Sequence, residues 1–267
     1  HESMLQHFSL PFCSKMTVLA LLLTLLSISF QSTVSWSITR RAVLGSLTST
    51  PFLVAETMNA SQPSSSEREV LLSAITRGAD DATVMDALTN LIPLDPSKGK
   101  LSEDLLDGEW KLLWSIKAEA FSPLLQLPRP FKPASYQYFG STAAAEVGSS
   151  RVAQGLTGGL LGQKEIWLSS GVTPSEENSS SLTILPPFRL QVGGRPGSGD
   201  TKRTLVDAGS DADFRAVNVR SKDAQAAPRN EYQQLYVEGG GAGALRISTI
   251  ASGDPVIVGA IFVHEKL

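Results

Sequence analysis

The chain predicts a mainly β fold: a small closed antiparallel barrel of about eight strands preceded by two short helices. Three observations carry this. From Trp110 onward, short apolar runs recur between turn signals made of Gly, Pro and Ser/Asn/Asp clusters. Helical stripes are confined to two segments before Pro93. Finally, Asp107-Gly-Glu-Trp-Lys-Leu-Leu-Trp114 and Leu245-Arg-Ile-Ser248 read as strands near the two ends of this region. Their indole and guanidinium, Trp110 and Arg246, are expected to pack together and seal one barrel end.

In chain order, the first element is a targeting leader expected over residues 1–60. Lys15 precedes an uncharged apolar run, Val18 to Phe30, and small polar residues follow up to Trp36. Residues 16–35 therefore read as a secretory signal peptide whose 13-residue apolar run is too short for a membrane span of about 20 residues, with a membrane anchor as the competing reading. Thr39-Arg-Arg41 opens a second mildly apolar stretch, so residues 39–60 read as a twin-arginine export signal. Two export signals in series imply two membranes to cross. That order resembles the layered presequences of algae with secondary plastids, which implies a plastid address in the thylakoid lumen, with the stroma as the competing compartment.

The remainder, 61–267, is long enough for one domain with a proper core. Gln62-Pro-Ser-Ser-Ser66 reads as a tether. Ser66-Glu-Arg-Glu69 is a capping box opening a helix with Val70, Leu71, Ala74 and Ile75 as its stripe and Gly78 as its stop. Asp80 or Asp81 caps a second helix, with Val84, Met85, Leu88 and Leu91 inward and Pro93 past its end. Both are expected to pack over a barrel mouth or flank. Strands are expected at Trp110–Ile116, Gln163–Ser169, Leu182–Leu185, Phe188–Val192, Arg203–Asp207, Phe214–Arg220, Glu231–Glu238, Leu245–Ile250 and Val256–His264. Pro186-Pro187 should mark a corner or an edge. No strand is assigned in Ala118–Gly162. There Phe121–Pro133 spaces apolar residues with prolines and reads as an ordered loop, either a lid over a ligand mouth or a connection packed on the barrel exterior. Gly155–Gly162 is glycine-rich but lacks a P-loop lysine and a dinucleotide fingerprint, and reads as flexible or bulged.

Composition excludes several function classes. With Lys15, Arg40, Arg41, Glu2 and Glu56 in the leader, the remainder has 20 basic and 24 acidic residues, a net charge of −4. A nucleic-acid binder would need a basic face, and no polybasic run suggests docking on anionic lipid. Cys13 is the only cysteine and lies in the leader, so the remainder forms no disulfide, Cys-based zinc site or thiol nucleophile. His264 is its only histidine, which argues against serine–histidine catalysis and multi-histidine metal sites. No metal or other cofactor is expected.

Leu106, Gly108, Trp110, Leu112, Leu113, Tyr236, Leu245-Arg-Ile247, Gly253-Asp254 and Phe262-Val263 fall where the plastid lipid-associated proteins, also called fibrillins, carry their first strand and closing hairpin. The chain resembles that family over about residues 66–267. It departs in the insert Gly239-Gly-Gly-Ala-Gly243, in Ser252 where the family has a second Arg beside Gly-Asp, and in extra residues between Asp254 and Phe262. The resemblance implies a lipocalin-like barrel at thylakoids or plastid lipid droplets (plastoglobules). It also implies a structural or carrier role in binding a prenyl quinone, carotenoid or other lipid. It brings no catalytic residues.

Within this frame, Gly108, Trp110, Arg246 and Asp254 are expected to form a structural barrel seal, Asp254 by organising a turn. Trp114, Tyr136, Tyr138, Phe139, Trp167 and Phe188 are candidates to line an apolar cavity, against a default of core packing. Two other classes stand beside lipid binding. One is an assembly or interaction scaffold for a photosynthetic protein complex, its barrel filled by its own side chains. The other is a lipocalin-type enzyme using Glu165, Asp211, Asp213 or Glu238, for which solvated surface charge is the competing account.

Overall fold

A computed structural model describes residues 64–117, 122–148, 150–194, 202–210 and 229–267, all within the unit Gln62–Leu267. The leader, Phe121, Asp211, Asp213 and the strand expected at Phe214–Arg220 lie outside the described residues.

Helix α1 (Ser64–Thr76) presents Leu71 and Ala74 as its buried face and stops at Gly78, whose φ of 66° suits a residue without a Cβ. Helix α2 (Asp81–Leu91) starts where the Asp80 side chain accepts from the Thr83 N–H at 2.8 Å, and buries Val84, Ala87, Leu88 and Leu91. The two helices pack with Tyr236, Leu245, Ile247 and Val263, the outward side chains of three neighbouring strands. They therefore cover a flank of the sheet. A one-turn helix α3 (Glu103–Leu106) leads into the strands.

Among the described residues nine antiparallel strands follow: β1 (Gly108–Ile116), β2 (Ala134–Phe139), β3 (Arg151–Thr157), β4 (Lys164–Pro174), β5 (Ser181–Gly194), β6 (Arg203–Ala208), β7 (Glu231–Val237), β8 (Leu245–Ser252) and β9 (Ile261–Lys266). Their order is β4-β3-β2-β1-β9-β8-β7-β5-β6, and β4 also pairs with β5. That extra pairing closes a ring of eight strands, with β6 hanging on the outer half of β5. The fold is mainly β, as the sequence predicts.

The boundaries carry three corrections, the first being that the strand expected at Val256–His264 begins only at Ile261, because residues 255–259 form a turn. Leu182–Leu185 and Phe188–Val192 are one strand, β5, and Pro186-Pro187 sits inside it at a register shift against Ser169/Gly171 of β4. There β5 changes partner: Ser181–Thr183 pair with β7, and Phe188–Val192 with β6. The stretch Ala118–Gly162 is not mainly loop. It holds β2, β3 and helix α4 (Gly140–Val147). Within it, Pro123–Gln126 forms a single 3-10 turn whose Leu124 and Leu125 pack with Leu156 and Ile257 at one end of the ring. The start of Gly155–Gly162 is β3, and its remainder includes a 3-10 turn at Gly159–Leu161.

Candidate functional site

Alternation decides which side chains enter the ring. On β2, Gln137 and Phe139 point inward while Tyr136 and Tyr138 point out; on β4, Leu168 and Ser170 point inward and Glu165 and Trp167 outward. The inward set lines a partly open cavity of about 130 Å³. Eight of its thirteen lining residues are apolar or aromatic, among them Phe139, Leu168, Ile184, Phe188 and Tyr232. The polar remainder includes Gln137, Asn230 and Asp254.

The seal residues separate into two places. Trp110, fully buried, donates its indole N–H to the Leu106 carbonyl at 2.8 Å, closing the last turn of α3. The Arg246 guanidinium lies 5.0 Å from the Trp110 ring centre and 4.7 Å from that of Phe139, and the Lys266 ammonium lies 5.4 Å from Trp110. Gly108 allows this close approach: at its φ of 134°, an added Cβ would stand 2.7 Å from Lys266 Cε. Asp254 does not join them. It sits in the β8–β9 turn at the opposite end, where it takes the Val256 N–H at 3.0 Å, and its own N–H goes to Asn230 Oδ1 at 2.7 Å.

The aromatic candidates separate as well, and only Phe188 and Phe139 reach the cavity. Trp114 lies on the outer face with α1 and α2, its indole N–H 3.2 Å from Asp81 Oδ1. Tyr138 and Trp167 pack together outside the ring, 4.6 Å between ring centres with their planes tilted by 33°, with Ala143 of α4 against them and Tyr136 beside them. These four are corrected from cavity lining to external packing. A register shift between Leu112 and Trp114 carries Trp114 to the side opposite Trp110.

The two described carboxylates considered for chemistry are engaged elsewhere. Glu165 is buried on the outer face and accepts the Trp167 indole N–H at 2.7 Å. Glu238 takes Arg68 Nε at 3.1 Å, the Tyr236 hydroxyl at 2.8 Å and the Leu245 N–H at 2.7 Å. Neither is simple solvated charge. Both are corrected to buried or half-buried structural clasps.

The sequence reading missed the polar patch on the inner faces of β7, β8 and β9. Gln234 stands opposite Ser248, and Arg246 opposite His264. All four are buried. Arg246 donates from Nη2 to Gln137 Oε1, but its Nε and Nη1 have no partner among the described residues. The same holds for Ser248 Oγ, Gln234 Oε1 and both His264 ring nitrogens. Burial lowers the Arg246 pKa to about 9. Burial, with the Arg246 charge adding to it, holds His264 well below the ordinary imidazole range. Tyr232 has surface facing the cavity, yet its phenol is deep enough for burial to raise its pKa. The alternation of Arg246, Ser248 and Ile250 with Leu245, Ile247 and Thr249 was the available signal.

No family model, curated protein or solved structure matches this chain.

Proposed function

We propose that this chain is a plastid lipid-associated protein that binds an apolar small molecule inside its ring of strands, as carrier or store rather than enzyme. One observation supports this most: the ring closes on a cavity lined chiefly by apolar and aromatic side chains, with a few polar groups at its wall. Transfer of apolar ligand surface out of water, about 25 cal/mol per Å², supplies the driving force, and Gln137, Asn230 and Tyr232 are placed to orient a polar end. The resemblance to fibrillins adds the ligand classes, a prenyl quinone, carotenoid or other lipid, and the site of work, a thylakoid membrane or lipid-droplet surface. The paired leader signals add the lumen as address.

A second reading, a scaffold for a photosynthetic complex, is favoured by the volume: about 130 Å³ is below the roughly 300–1,000 Å³ of sites that enclose drug-sized ligands. Purification of the protein from an algal host, followed by mass spectrometry of its lipophilic extract, separates the two. Binding predicts one retained lipophile in near-stoichiometric amount. Folded protein that stays empty after incubation with thylakoid lipid extract favours the scaffold.

A further inference from the structure

Resting on the binding reading, we propose that Arg246, with Ser248, His264 and Gln234, forms the head-group site for a carboxylate-bearing amphiphile whose tail occupies the adjoining cavity. The four side chains occupy neighbouring inner positions of three adjacent strands. Between them, six buried nitrogen and oxygen atoms lack a hydrogen-bond partner among the described residues, a concentration that folded interiors avoid unless something else completes the bonding.

Charge narrows what completes it. The ion pairs among the described residues are Arg68–Glu238 and Arg189–Asp207, so the guanidinium of Arg246 is buried with no carboxylate against it. A buried cation without a counter-charge is costly, and the rings of Trp110 and Phe139 offset part of that cost without accepting its N–H groups. Water satisfies hydrogen bonds but not the charge. A carboxylate does both: it accepts from one free N–H of Arg246, Nε or Nη1, and from the Ser248 hydroxyl. Neutral His264 adds one donor.

The cavity sets the rest of the molecule. Gln137 and Phe139 both contact the Arg246 guanidinium and both line the cavity, so only these two side chains stand between a head group at Arg246 and apolar space. Phe139 and Leu182 in turn line an outer groove of about 510 Å³ bordered by α3, α4 and the end of β4. That gives a tail longer than the cavity a way out. The acidic residues of the groove, Glu103, Asp104 and Asp107, favour the order head inside, tail outside.

The test titrates the full-length protein with a conjugated polyene fatty acid, whose fluorescence rises on leaving water, and separately with its methyl ester. The expected result is a Kd for the acid at least about tenfold below that for the ester, the scale of a charge-assisted bond. Arg246→Gln should bring this ratio to about one. So should Gln137→Glu, which sets a permanent carboxylate against Arg246 and remains informative if the first variant fails to fold. Equal affinity for acid and ester in the native protein, or an acid preference that survives Gln137→Glu, overturns the head-group site alone. Failure of both probes to bind overturns the binding reading with it.

Discussion

At the scale of single residues, the interior imposes two measurable consequences. His264 is held neutral, so its folded pKa lies below the unfolded value of about 6.5. As pH falls, the unfolded chain takes the proton first. The stability linked to His264 is thus fully present above about pH 6.5 and is lost as pH drops toward the folded pKa. The expected result is a Tm that declines between about pH 6.5 and 5, and a shallower decline in His264→Gln, read by thermal melts across that range. Asp80 and Asp107, whose pKa values are lowered by hydrogen bonds to Thr83 and Ser141, act only at more acid pH. Gly253 is the second case: its φ is 119°, and an added Cβ would meet Asn230 Oδ1 at 2.0 Å, the atom that holds the Asp254 N–H. Gly253→Ala should cost about 1–3 kcal/mol in urea unfolding, through backbone strain and the broken turn.

At the scale of elements, the helices were legible because a 3.6-residue period and caps are local properties. Leu71, Ala74, Val84, Leu88 and Leu91 are buried as their spacing predicts, while Val70, expected in the same stripe, is half exposed. Leu88→Ala should remove about 2–5 kcal/mol, seen as a lower urea midpoint at unchanged slope, because the residue is buried against the outer sheet face. Strands β2 and β3 were not legible. Ala134-Ser-Tyr-Gln-Tyr-Phe139 offers Ser135 and Gln137 to the interior and tyrosines to the outside, the reverse of an apolar-in pattern, because α4 covers the tyrosine side. A strand buried on both faces loses the polar alternation that identifies it. The same covering helix hid the true position of Trp167.

For the whole molecule, ring closure converts a set of strands into a partly enclosed site, and the cavity's small volume makes it sensitive to filling. Ser170→Leu places a larger apolar side chain in that space. It should shift Tm by only a few degrees while, under the proposed binding function, abolishing retention of a lipophile, measured by melting and by mass spectrometry of the extract. The fold class, the two helices, seven of the nine observed strands in outline, and the pairing of Trp110 with Arg246 were determined by the sequence alone, since each rests on local pattern or on residue chemistry. Only the tertiary structure decided which aromatics face inward, because one bulge after Leu112 and one covering helix reassign whole faces. It alone gathered Gln234, Arg246, Ser248 and His264 into one buried patch, since cross-strand register between β7, β8 and β9 is a long-range property that no single segment encodes.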